Sequence, residues 1–141
     1  MDIVNAASAR ATFYDRNPIP LGLNYNSSLA PHGLTVRWSY TVPVGKKFLM
    51  AYSYAYGFKS VLAGAPGPFR GQIRVTPVVG AVYYPIWVYT YLLTLGDVGE
   101  MNGNTSVAFL PGDVIEGLTQ DTNGGGNILF SIGMSGTEFD Y

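Results

Sequence analysis

Residues 34–58 read LTVRWSYTVPVGKKFLMAYSYAYGF, and the fold class turns on their period. Over residues 34–42 apolar and polar side chains alternate. Leu34, Val36, Trp38, Tyr40 and Val42 share one parity, and Thr35, Arg37, Ser39 and Thr41 share the other. A strand sends successive side chains to opposite faces, whereas a helix repeats every 3.6 residues, so this stretch predicts a strand with one dry and one wet side. Residues 43–47 read as a turn. Residues 48–58 then form a strand that is apolar or small on both faces: Phe48, Met50, Tyr52, Tyr54 and Tyr56 on one, Leu49, Ala51, Ser53 and Ala55 on the other. Such a strand belongs at the centre of a sheet or in an interface.

Working outward, the same period recurs between breakers. Residues 63–68 (AGAPGP) cannot hold a ladder, because prolines lack donors and glycines favour turns. Phe69, Gly71, Ile73 and Val75 then alternate with Arg70, Gln72, Arg74 and Thr76 in a second half-buried strand. Residues 78–95 are too long for one ordinary strand. Pro85 must lie at an edge, a bulge or a break, so strands are expected near 78–84 and 86–94. Residues 96–104, with an Asn102-Gly103 turn signal, lead to a strand at 105–110. Leu110-Pro111-Gly112-Asp113 turns into another at 114–119, and the glycine-rich 121–126 precedes a strand over 127–134. About eight strands after residue 33 and no helical period define an all-β chain, a single-domain two-sheet β-sandwich, with a jelly roll the expected arrangement. Residues 1–33 hold Pro18, Pro20 and Pro31 and one short strand candidate at 11–14. They read as an extended N-terminal arm, leaving 34–141 as the sandwich domain.

Composition bounds the function. Eight basic and nine acidic residues make 12% of the chain charged, against 48% hydrophobic and 11 tyrosines. A domain alone in water carries about 25% charged residues, so the exterior is expected to be covered by other protein, in a homo-oligomer such as a trimer. A net charge of −1 without basic clusters gives no field for nucleic acid. Residues 1–11 contain Asp2 and lack the basic start and apolar core of a secretion signal. The apolar run over 78–95 is interrupted by Gly80, Pro85 and Thr90, so no membrane span is expected. The absence of cysteine excludes disulfides and thiolate metal sites.

No catalytic, cofactor or metal residues are assigned. His32 is the sole histidine, whereas cupin-type metal centres need several imidazoles, and no Gly-x-Ser-x-Gly elbow accompanies any serine. Among carboxylates that a glycosidase would pair, Asp113 and Glu116 lie three apart on a strand and face opposite ways. Asp97 with Glu100, and Glu138 with Asp140, are the pairs able to approach one another. All read as solvated turn and edge groups, and calcium ligation by Asp97, Glu100 or Asp121 lacks EF-hand spacing. Asn26 and Asn104 match the glycosylation pattern by position alone. The tyrosines are the strongest signal. Tyr52, Tyr54 and Tyr56 form a ladder, and Tyr83, Tyr84, Tyr89 and Tyr91 cluster in sequence. Their large area and polar tip suit a subunit interface or a sugar-stacking platform, and the seven are expected at an interface.

The C-terminal run Leu110-Pro111-Gly112-Asp113-Val114-Ile115, the glycines at 124–126, residues 128–131 and Gly136-Thr137-Glu138-Phe139 resemble the end of the C1q/TNF-like jelly roll, over residues 105–139. Thr41-Val42-Pro43-Val44-Gly45-Lys46-Lys47, the proline-bearing arm, the lack of cysteine and the tyrosine-rich sheet are similar to jelly-roll structural proteins of viruses and phages. That resemblance implies a non-enzymatic virion component, a capsid, cement or head-decoration subunit that packs with copies of itself and other capsid proteins. The alternative is a receptor- or carbohydrate-binding jelly roll such as a fibre head.

Overall fold

Alternating segments of this length close into sheets when each finds an antiparallel partner, and the computed structural model describes that pairing for residues 19–27, 34–59, 67–92, 98–121 and 128–140. Among them run eight strands: β1 (Ile19–Ser27), β2 (Thr35–Thr41), β3 (Lys46–Lys59), β4 (Gly67–Thr76), β5 (Tyr83–Leu92), β6 (Val98–Phe109), β7 (Val114–Asp121) and β8 (Ile128–Asp140). The antiparallel pairs are nested, β1 with β8, β2 with β7, β3 with β6 and β4 with β5. Two further pairings, β3 with β8 and β4 with β7, complete two four-stranded sheets of order β1-β8-β3-β6 and β2-β7-β4-β5. This rolled-up double ribbon is the jelly roll, a β-sandwich of two antiparallel sheets.

The core fills the space between the sheets. Phe48, Met50, Phe109, Ile132 and Met134 from the first sheet meet Val42, Ile73, Val75, Ile86 and Ile115 from the second. Phe48 and Phe109 stack with centroids 6.1 Å apart, and Tyr40 meets the Phe48 ring edge-on at 5.3 Å. In β4 Gly71, Ile73 and Val75 are buried and Arg74 stays partly open to solvent, as expected, but Gln72, expected on the wet face, is also buried, its Oε1 accepting from Arg70 Nε at 3.1 Å.

Two parities depart from the alternation. The β3 register slips between Met50 and Tyr52: Ala51 is an extra residue against β8, while β6 runs two unpaired residues, Thr105 and Ser106, past it. Phe48 and Met50 point into the core before it, and Ser53, Ala55 and Gly57 are the buried set after it. Tyr52, Tyr54 and Tyr56 therefore face outward, not with Phe48 and Met50 on a single face. In β2 the register slips between Val36 and Trp38. Trp38, Tyr40 and Val42 face the core, but Val36 is exposed and does not share their side. A bulge adds one residue to a strand and so reverses which side chains face in, which no period-two reading anticipates.

Three segments also differ. The two strands expected near 78–84 and 86–94 are one, β5, whose register slips opposite Ile73 and Val75, so Pro85 sits at a bulge on an edge strand. Asn102-Gly103 makes no turn. Both lie inside β6, opposite Tyr54 and Ser53, because the long β3 partner keeps the ladder running. Residues 19–27, within the segment read as an arm, pair along β8 as β1, so seven of the eight described strands follow residue 33. The strand candidate at 11–14 lies outside the described residues.

Glycines mark the tightest approaches. A Cβ on Gly136 would collide with the Leu49 carbonyl and the Phe48 ring, and one on Gly117 with the Trp38 indole. Gly136→Ala is expected to lower stability by about 3 kcal/mol, or roughly 10 °C in Tm, whereas Gly22→Ala, with nothing within 4 Å, leaves it within about 0.5 kcal/mol. Ser53 is fully buried and its Oγ has no hydrogen-bond partner. Ser53→Ala therefore raises stability by about 1 kcal/mol. Urea and thermal unfolding followed by circular dichroism check all three.

Candidate functional site

The bulge at Ala51 gives the first sheet its outward chemistry. Opposite Tyr52, Tyr54 and Tyr56 stand Ser135, Gly133 and Ser131 of β8, small residues that leave one flank of the rings uncovered. On the other flank Tyr54 pairs with Asn102 and Tyr56 with Glu100, both exposed on β6. The Tyr52 and Tyr54 rings lie 5.9 Å apart at 30°, nearly side by side, and Ser131 Oγ donates to the Tyr54 phenol oxygen at 3.1 Å. Together these residues line a cleft of about 280 Å³.

A second aromatic group sits on β5. Ile86 points into the core, so its neighbour Trp87 faces out with 57% of its surface exposed. Tyr84 packs against the indole at 5.9 Å, and the Arg70 guanidinium lies 5.7 Å from its ring. Tyr89, opposite Arg70 in the ladder, is also exposed. Beside this group Arg74 donates from Nε and Nη2 to Glu116 Oε2 at 2.9 and 2.7 Å.

At one end of the sandwich the turns converge on Asp113. Pro111 and Gly112 occupy the middle of a turn closed by Asp113 N–H donating to the Leu110 carbonyl at 3.1 Å. Gly112 has φ +90°, the conformation a type II turn requires at that position. The Asp113 carboxylate accepts from Val78 N–H at 2.8 Å and Leu110 N–H at 2.9 Å, while its backbone carbonyl accepts from Val42 N–H at 3.0 Å. Three connections are thereby tied at one point. Around it project apolar side chains with little cover, Val44 at 95% exposure and Val79 at 89%, with Val78, Val82 and Leu110 also open to solvent. Tyr83, also exposed, lies nearby. Partial burial, and then the Asp113 charge, push its phenol pKa up.

Charged groups also tie the two sheets together. The Arg37 guanidinium lies 4.7 Å from the Phe130 ring centroid, and its Nε donates to Thr119 Oγ1 at 2.8 Å. Trp38 Nε1 donates across the sandwich to the Ile132 carbonyl at 3.1 Å. Tyr40 donates its phenol proton to Glu138 Oε2 at 2.6 Å, and Lys46 binds Asp140 at 2.5 Å with Glu138 at 3.9 Å. Burial first, then the hydrogen bond to Glu138 and its charge, raise the Tyr40 pKa well above the ordinary phenol value. The hydrogen bond to Asp140 chiefly raises that of Lys46.

Of the seven tyrosines expected at an interface, Tyr52, Tyr54 and Tyr56 stand together on one sheet, and Tyr83, Tyr84 and Tyr89 on the other. Tyr91 takes the β5 position opposite Pro68, with its side chain outside the described residues. His32, Asp97 and the 122–127 loop also lie outside them. Asp113 and Glu116 are committed to different partners, and Glu138 and Asp140 converge on Lys46. Among the described residues no three histidine or carboxylate side chains assemble into a metal set. Trp87, the apolar tip and the place of Glu100 and Asn102 beside the ladder were not singled out from the sequence. Trp87 carried a signal, since it keeps the parity of Tyr89, but the partners of Tyr54 and Tyr56 depend on a register that only pairing fixes.

The Tyr40 site predicts a pH dependence. Because the folded state holds the phenol neutral above its usual titration point, Tyr40 contributes its stability fully below pH of about 10 and loses it as pH rises through the folded value. Tyr40→Phe is expected to cost about 1–2 kcal/mol at pH 7 and to flatten the fall in stability between pH 10 and 12, read by urea unfolding across that range.

Compared with known families and curated proteins, the chain matches no family model and no curated relative.

Proposed function

We propose that this chain is a non-enzymatic structural subunit of a virion, a capsid, cement or head-decoration protein, that works by self-association and packing on a particle. The observation that carries the reading is the amount of apolar and aromatic surface left open outside the core. Val44, Val78, Val79, Val82 and Leu110 crowd one end, and Tyr84, Trp87 and Tyr89 stand on β5, in a chain of which 12% is charged. Contiguous apolar patches on soluble domains mark contact sites. Apolar surface covered at a seam supplies association free energy at about 25 cal/mol per Å² before the costs of ordering and desolvation are met. Few charges need desolvation at such a seam, and the Arg74–Glu116 pair beside it is already satisfied.

The turns at this end are also firmly held. With Asp113 fixing three connections, the valines are presented by a rigid rim, and less ordering entropy is lost when a neighbour covers them. Tyr83 lies at the same end, and Tyr91 continues the β5 strand. A closed ring of copies, such as a trimer, satisfies every patch without open-ended growth. The C1q/TNF-like pattern over residues 105–139 and the viral jelly-roll pattern agree with that arrangement.

The test is sedimentation velocity at rising concentration. The native chain is expected as a closed oligomer, and Val79→Asp with Trp87→Asp is expected to weaken association at least 100-fold with little change in the melting curve, since both side chains are exposed. A native chain that stays monomeric at every concentration, or a double variant that associates as the native does, overturns the proposal.

A further inference from the structure

We propose that the cleft on the outward face of β3 and β6 is a binding site for a neutral sugar, built from Tyr52, Tyr54, Tyr56, Glu100, Asn102 and Ser131. It lies on the opposite sheet from the β5 aromatic group, and the inference does not rest on the assembly reading.

The chemistry of the lining selects the ligand class. A pyranose ring has apolar patches of C–H groups on its faces and vicinal hydroxyls around its rim. The first stack on aromatic rings, whose faces carry negative quadrupole density. The second pair with side chains that offer two hydrogen-bonding atoms in one plane, as carboxylates and amides do. Both are present side by side. Tyr52 and Tyr54, at 5.9 Å and 30°, form a shallow platform about two rings wide. Tyr56 extends it towards Glu100, and Asn102 stands across from Tyr54. The cleft of about 280 Å³ admits one or two sugar rings and is too small for a folded partner to insert an element.

Charge narrows the class. Among the described residues no lysine or arginine lines the cleft, and the one carboxylate there is Glu100. A sialylated, sulfated or phosphorylated ligand would meet a carboxylate with no cation to offset it, so the ligand is uncharged. Beneath the rings β3 is bonded on both sides, by β8 and β6, so it offers a ligand side chains only, and backbone pairing with a peptide is confined to the outer edge of β6.

The site is preorganised. β3 is an interior strand, and the bulge at Ala51 fixes the outward parity of all three tyrosines. Ser131 donates to the Tyr54 phenol oxygen, which holds that ring in place while leaving the phenol proton available to a ligand hydroxyl. Opposite the rings Gly133 and Ser131 carry too little bulk to cover them. A small, shallow and partly wet site of this kind gives a dissociation constant on the order of 1 mM per sugar unit, a strength that copies of the site on one particle would multiply.

The experiment is saturation-transfer difference NMR on the full chain with lactose, cellobiose, mannobiose and N,N′-diacetylchitobiose, with 3′-sialyllactose and inorganic phosphate as charged probes. At least one neutral disaccharide is expected to saturate below about 10 mM, with the transfer concentrated on ring C–H protons. Tyr54→Ala is expected to weaken that binding at least tenfold and Glu100→Gln three- to tenfold, while Ser39→Ala on β2 leaves it unchanged. Melting curves accompany each variant. Should Tyr54→Ala unfold, Glu100→Gln at the exposed edge strand carries the test alone. Absence of a saturable signal from all four neutral sugars, stronger binding of sialyllactose or phosphate, or full affinity in Glu100→Gln overturns the inference.

Discussion

One extra residue in β3 governs both the inside and the outside of this sandwich. Because a pleated strand alternates strictly, Phe48, Met50, Tyr52, Tyr54 and Tyr56 would all share a face if the ladder ran unbroken. Turned inward, that face would bury three phenol hydroxyls that each need a partner. Turned outward, it would strip Phe48 and Met50 from the core. Ala51 resolves the conflict by stepping out of register, so aromatic and thioether bulk fills one half of the interior and Ser53, Ala55 and Gly57 line the other. The interior is correspondingly uneven. Large β3 side chains crowd where Gly136 makes room for Phe48, while in the far half β3 contributes small residues and Ile132 and Phe130 of β8 supply the bulk.

The uneven core places a demand on how the two sheets are held, and β2 meets it. This strand is an edge strand of its own sheet, yet it reaches β8 of the other through Arg37 to Phe130, Trp38 to the Ile132 carbonyl and Tyr40 to Glu138. Those contacts are directional, unlike the apolar burial between the sheets, and so they fix the angle at which one sheet lies on the other. The bulge at Arg37 belongs to the same device. By shifting parity after Val36 it aligns Trp38 and Tyr40 with the core, and Gly117 on the adjacent strand supplies the hollow into which the indole fits.

The period-two signal carried the fold class. Alternation in β4, the turn at Leu110-Pro111-Gly112-Asp113 and the confinement of Pro85 to an edge or bulge were all legible, because each follows from local stereochemistry. What was not legible depended on partners distant in sequence. Asn102-Gly103 has the composition of a hairpin turn, and only the length of β3 keeps it extended. The strand character of residues 19–27 comes from β8, more than a hundred residues away. Aromatic content pointed to the tyrosines but could not divide them between two sheets, which the long-range pairing of β3 and β5 sets, nor turn Tyr52, Tyr54 and Tyr56 outward, which the unpaired Ala51 does. Glu100 read as a loop carboxylate and Asn102 as a turn residue: the side chains that stand beside Tyr54 and Tyr56 are those the β3–β6 register brings there.

The two outward faces of a sandwich look in opposite directions, and here they differ in kind. The β5 side and the tied end present convex apolar bulk, whose exposure is relieved by a flat partner surface. The β3–β6 side presents a recess with an amide, a carboxylate and phenols, and such groups lose free energy if a flat apolar surface seals them away from water without hydrogen bonds. A subunit docking through the first therefore leaves the second facing away from the seam, open to solvent. In a closed ring each copy would then present its recess on the same side of the assembly at a fixed spacing. A single weak contact becomes a strong one when several such sites meet a surface that repeats the same ligand, without any added contact within the site itself. The proposed assembly through the β5 side and the proposed recognition through the β3–β6 face are thus compatible in one small domain, because the residues argued to serve them stand on different sheets.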